Sequence, residues 1–241
     1  MSWDTGEKLM LICSTEDTKD IKKGVYKILD QQRLAHIPDT SAFLARVLIE
    51  PSKARSVFGN PVKLMQDTFD IAAVSGAFDL DNSLLEIFTL EDLYWYSQCI
   101  SMNMYLRQCN SVEWGERRME PVHYLVEDVI QKADAAIQDG DCVADLRFGH
   151  EYQVIAFSSR IGVKGIAERR DAVASASWPG YKYVPFACNL QMIFYRNKSG
   201  EVLVKFFLNE QETTLLTLPG GPYYRWEDVK SSILENRANN L

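Results

Sequence analysis

The sequence predicts an α/β protein in two parts, mainly helical over residues 1–140 and alternating strand and helix over residues 141–241. Three observations carry this reading. Apolar residues up to Gly140 recur at helical spacing. Beyond Gly140 the apolar runs shorten to strand length and fill with Val, Ile, Phe and Tyr. Two of those runs flank Asn197-Lys198-Ser199-Gly200, a composition suited to a hairpin turn.

The elements follow in order. Ile21, Val25, Ile28 and Leu29 share one helical face. Phe43, Leu44, Val47 and Leu48 do the same after Pro38-Asp39-Thr40-Ser41. Thr89-Leu90-Glu91-Asp92 resembles a capping box, opening a long helix through Trp95, Ile100, Met104 and Leu106. A further helix starts near Pro121, carries Val122 to Ile137, and stops at Gly140. Residues 142–148 read as a short strand that ends at Gly149-His150-Glu151, with an apolar helix next (Val154, Ile155, Phe157). Trp178-Pro179-Gly180 reads as a loop. Residues 190–195 and 202–208 form the hairpin, residues 213–218 a further strand, and residues 226–234 a closing amphipathic helix.

Composition excludes several classes. Of the 241 residues, 46% are hydrophobic and 24% charged, which rules out a disordered tail, a collagen-like repeat and a coiled coil. No apolar run is long enough to span a membrane. Lys and Arg number 26 against 33 Asp and Glu, a net charge of −7 that argues against sequence-independent nucleic-acid binding. A local arginine cluster can still hold an anionic small molecule on an acidic chain. Cys13, Cys99, Cys109, Cys142 and Cys188 form no CxxC pair and read as buried thiols. The apolar run Leu9 to Cys13 is too short for a signal sequence, so the chain read literally is not exported.

Histidines are few: His36, His123 and His150. His36, before Pro38, and His123, one helical turn from Glu127, read as structural or surface residues. His150 differs because it ends a strand, follows a glycine that lets the backbone turn, and precedes a carboxylate. An imidazole beside an acid can stabilise charge and donate a proton at a phosphoryl or acyl centre.

The string Asp145-Leu146-Arg147-Phe148-Gly149-His150-Glu151 resembles the C-terminal catalytic motif of the histidine acid phosphatase superfamily, in its multiple inositol polyphosphate phosphatase branch. Residues 184–196, Val202 to Phe206 and Pro222 to Trp226 look like that branch's later strands and final helix, and Cys109 to Arg118 looks like its helical-domain segment. The resemblance implies a histidine phosphatase-like α/β fold. It has a cap-like helical domain (1–140) and the C-terminal part of a mixed, mostly parallel sheet domain with a terminal hairpin (141–241). It implies a phosphomonoester hydrolase with a phosphohistidine intermediate, an inositol polyphosphate such as phytate as substrate, no cofactor or metal, and no nucleic-acid partner. His150 would bind the transferring phosphate and Glu151 would protonate the leaving alkoxide. Arg147, Arg117 and Arg118 are candidates for substrate binding.

Two departures stand out. The family commonly has His-Asp or His-Ala-Glu at this point; here Glu151 takes the place of the Asp and reaches one methylene further. No Arg-His-Gly occurs, so the nucleophile motif is not among these residues. The expectation is therefore a C-terminal portion of an exported or membrane-associated parent, with unpaired sheet edges prone to self-association. The other readings are a non-catalytic remnant with weak phosphate affinity, or a plain interaction module.

Overall fold

The structure, a computed structural model, describes residues 16–35, 39–78, 82–140 and 142–238. The chain divides into two compact units, Leu29–Ile100 and the combination of Met1–Ile28 with Ser101–Leu241. The change of composition at Gly140 falls inside the second. Helix α1, Glu16–Ala35, buries Ile21, Val25 and Leu29 on the expected stripe.

In the unit Leu29–Ile100, Asp39 caps α2, Thr40–Val47, by accepting hydrogen bonds from the Ser41 and Ala42 N–H groups. Helix α3, Pro61–Val74, is not anticipated by the spacing analysis. Its start signal is local: Asn60 Oδ1 accepts from Val62 N–H at 3.0 Å, and Pro61 opens the helix. The capping box of α4, Leu90–Gln108, forms as expected. Thr89 Oγ1 accepts from Asp92 N–H at 3.2 Å, and Asp92 Oδ2 accepts from Thr89 N–H at 2.8 Å. Arg46 then pairs with the same buried carboxylate. The core of this unit gathers Phe43, Met65, Phe88, Trp95 and Tyr96, with the Phe88 ring 5.5 Å from both Phe43 and Phe69.

In the other unit, the short α5, Gly115–Met119, precedes α6, His123–Asp139. Gly140 ends α6 in the left-handed region (φ 73°), with its N–H bonded to Ala136 O. Helix α7 runs Glu151–Ile161 and α8 runs Trp226–Ala238. The hairpin forms as predicted: β1, Leu190–Arg196, pairs antiparallel with β2, Val202–Leu208, in the register Leu190↔Leu208 to Arg196↔Val202. On the other side of β2 lie β3, Gln211–Thr213, and β4, Tyr224–Arg225, both antiparallel to it. Val204, Phe206 and Leu208 turn inward onto Trp226, Val229 and Ile233 of α8 and onto the α6 and α7 side chains. The Trp226 indole N–H donates to Asp134 Oδ1 at 2.6 Å. Trp178 lies in a loop as expected, and its side chain is buried in the core, with its indole N–H donating to Gly165 O at 2.7 Å and Tyr105 edge-on at 5.3 Å.

Three expectations are corrected. The sheet among the described residues is antiparallel, and no parallel ladder forms in it. The strand expected over 213–218 lies earlier, at Gln211–Thr213. Past it the chain leaves β2, because Thr214 O accepts from Lys164 N–H at 2.9 Å and Leu216 N–H donates to Gly162 O at 2.7 Å. Residues 142–148 form no strand at all. A strand exists only through a partner, and no described residue offers one. Val143 (100% exposed), Leu146 (72%) and Phe148 (93%) therefore stand in water. Among the cysteines, Cys99 and Cys109 are buried as expected, Cys188 is half-buried and Cys142 is exposed. Cys13 and His36 lie outside the described residues.

Candidate functional site

The residues singled out by the sequence centre on the start of α7. His150 is its N-cap, with extended backbone (φ −81°, ψ 157°). The Gln153 side chain reaches back, and its Oε1 accepts the His150 N–H at 2.9 Å. That return defines Gly149. Its φ is not left-handed, so the sharp turn expected there is not why glycine occupies the position. A Cβ at Gly149 would stand 1.9 Å from Gln153 Oε1, so glycine leaves room for the cap.

The His150 ring is solvent-exposed. It lies between Glu151, whose Oε2 is 4.0 Å from Nδ1, and the Tyr152 ring, stacked at 5.0 Å and 17°. The sequence-predicted acid and imidazole are thus side by side and open to solvent at a helix N-terminus, where partial positive charge favours an anion. Glu151 has a further neighbour that sequence reasoning missed. The loop before β1 carries Cys188 to it, and burial first, then the Glu151 carboxylate, push that thiol above its usual range. The loop is fixed by Asn189, whose N–H donates to Asn209 Oδ1, and it includes Ala187 at φ 59°.

The three arginines go to three different places. Arg147 is held by two carboxylates, Nη1 at 2.6 Å from Asp128 on α6 and Nη2 at 2.9 Å from Asp145. Burial works against its charge, and the Asp145 and Asp128 hydrogen bonds outweigh it, so its pKa is raised. Nothing local in the sequence signals Asp128, because the contact crosses from α6 to the segment after it. Arg117 makes two hydrogen bonds to Asp20 of α1, at 3.0 and 3.1 Å, and the Asp20 carboxyl is lowered chiefly by that guanidinium. Arg118, named with Arg117 as a candidate for substrate binding, is buried and donates to Gln108 Oε1 at 2.9 Å. Helices α5 and α6 both pack on α7. His123, at the start of α6, lies with its ring 3.8 Å from that of Tyr124 and its Nδ1 on Glu120 O. Among the described residues no group of three or more His, Cys, Asp or Glu is arranged to hold a metal ion, and no helix is long and apolar enough to cross a membrane.

Neither the scan against family models nor the search of curated proteins returns a match to this chain. Solved structures do match. The phosphate complex of the Bifidobacterium longum multiple inositol polyphosphate phosphatase superposes with a TM-score of 0.61 at 18% identity, over 72% of this chain and 39% of that one. Its inositol hexasulfate complex gives 0.59 at 18%, over 71% and 39%, and its apo form 0.59 at 18%, over 70% and 39%. The chain shares their fold. It spans about 39% of the length of these phosphatase structures. The expected likeness to multiple inositol polyphosphate phosphatases is met at the level of fold alone, with helices and an antiparallel sheet in the part described.

Proposed function

We propose that this chain is the C-terminal part of a histidine-type phosphatase acting on inositol polyphosphates, and that its own contribution to catalysis is the pair His150 and Glu151. The observation that carries the reading is the pair's placement, an exposed imidazole and a carboxylate together at the N-terminus of α7. The shared fold supports it.

In this reading a histidine outside these residues attacks phosphorus. A phosphorus–nitrogen bond forms as the bond to the substrate oxygen breaks, and Glu151 gives its proton to the departing alkoxide. Water then hydrolyses the phosphohistidine. His150, as imidazolium, binds the equatorial oxygens together with the helix N-terminus. Arg147 is the weaker candidate for phosphate binding, because Asp128 and Asp145 already match its charge. Arg117 and Arg118 are engaged with Asp20 and Gln108 and would have to exchange partners. No cofactor enters these steps. The parent would be exported, and self-association would follow from unpaired sheet edges.

The test is the reading frame upstream of Met1 joined to this chain. An Arg-His-Gly-x-Arg-x-Pro motif there should give phosphomonoesterase activity on phytate that His150→Ala abolishes and Glu151→Gln slows most for poor leaving groups. Activity untouched by both substitutions would refute the assignment. The second reading, a non-catalytic remnant, is favoured by the absence of Arg-His-Gly from these residues. It expects no such upstream motif and at most weak phosphate binding at His150.

A further inference from the structure

His150 is fixed at its backbone, where Gln153 Oε1 accepts its N–H at 2.9 Å, but that bond leaves χ1 and χ2 of the imidazole undetermined. Glu151 does not set them. Its Oε2 stands 4.0 Å from Nδ1, beyond hydrogen-bond length. A surface ring held by its backbone alone is spread over several rotamers. The contact that selects one is the Tyr152 ring, with its centroid 5.0 Å from that of His150 and the two planes 17° apart. This separation is ordinary for offset-stacked aromatics, and near-parallel planes at that distance constrain both His150 torsions together. Tyr152 is half-buried in the first turn of α7, and α7 packs against α5 and α6, so Tyr152 is the firmer of the two rings.

We infer that Tyr152 is a positioning residue, its ring the platform that holds the His150 imidazole in one orientation for an incoming phosphate. The inference rests on the reading of His150 as a phosphate ligand, and adds the residue that prepares it. A phosphate that met a freely rotating imidazole would have to immobilise it on binding, and that cost would appear in the affinity. An imidazole already stacked on Tyr152 has lost that freedom beforehand. The stack also survives protonation, because a cation within about 6 Å of an aromatic centroid is attracted to the ring face. The imidazolium can therefore bind an anion without leaving Tyr152. The contact is made by the ring rather than the hydroxyl, so Phe should replace Tyr152 and Leu should not.

NMR of the 241-residue chain with inorganic phosphate tests this. In the wild type, NOEs should join the ring protons of His150 and Tyr152 and persist at phosphate saturation. Tyr152→Phe should keep the ring-current shifts of the His150 ring protons and bind phosphate within about twofold of wild type. Tyr152→Leu should move those protons downfield and weaken phosphate binding about three- to tenfold. The His123 resonances, reporting the start of α6, should hold still in both variants. The NOE arm uses the wild type, so it decides even where Tyr152→Leu fails to fold. Ring NOEs that are missing or vanish on saturation, or a Tyr152→Leu chain that binds phosphate like wild type, would overturn the inference while leaving His150 a phosphate ligand. A wild-type His150 that ignores phosphate would refute the phosphate reading itself, and this inference with it.

Discussion

Adding one methyl group at Gly149 isolates how the start of α7 is built. In the Gly149→Ala variant the new Cβ would stand 1.9 Å from Gln153 Oε1 and 3.0 Å from its side-chain carbonyl carbon. Relief to ordinary contact at about 3.5 Å needs a shift of more than 1 Å. The flexible Gln153 side chain gives way, and its 2.9 Å hydrogen bond with the His150 N–H is lost. That loss costs about 1 kcal/mol, in the range for a helix cap. The alanine also restricts the unfolded chain, which returns roughly 0.4–1 kcal/mol where the native φ is compatible, as it is here. The single variant should therefore be nearly neutral to mildly destabilised. Gln153→Ala alone should lose about 1 kcal/mol. With Gln153 already gone, however, Gly149→Ala meets no obstruction and should stabilise the chain by about 0.4–1 kcal/mol. The sign thus reverses between the two backgrounds, and the coupling energy of the double-mutant cycle should be about 1 kcal/mol. Urea denaturation of the four proteins measures it. Additivity to within about 0.3 kcal/mol would refute the claim that this glycine exists to admit the Gln153 cap.

Other outcomes follow from the same contacts. Glu151→Gln should lower the Cys188 pKa, leaving burial to hold it up, and so speed its alkylation near neutral pH; mass spectrometry with exposed Cys142 as internal reference would show it. Asp20 is held low by Arg117, so its favourable contribution is present above the ordinary value of 3.8 and fades only as pH falls through the lower folded value. Arg117→Ala should raise the Asp20 titration midpoint towards 3.8, as read by carboxyl NMR. Asp134→Ala strips the Trp226 N–H and Lys230 of their shared acceptor and should cost about 1–3 kcal/mol in denaturant melts. A melt indistinguishable from wild type would deny that this contact secures α8.

What could be read from the sequence was local. Asp39, the Thr89–Asp92 pair and Gly140 each cap their helix through bonds within a few residues, so spacing alone finds them. The hairpin was legible for the same reason, since its turn and both strands are contiguous. Residues 142–148 have strand composition, but a strand is a relation between segments, and its other member is not among those described. The apposition of His150 and Glu151 follows from adjacency at an N-cap. The Asp128–Arg147 pair and the approach of Cys188 to Glu151 depend on how α6 and the loop before β1 fold back, which no local pattern encodes. The consecutive Arg117 and Arg118 looked alike in sequence. Their positions on α5 send one to Asp20 and bury the other against Gln108.

The central claim is that His150 belongs to a phosphate site, and the most direct measurement is a titration of the chain with inorganic phosphate followed by imidazole NMR. The account predicts that the His150 resonances shift in a saturable way while those of His123 hold still, and that Glu151→Gln alters the response. His150 resonances that do not move, or that move no further than those of His123, would contradict it.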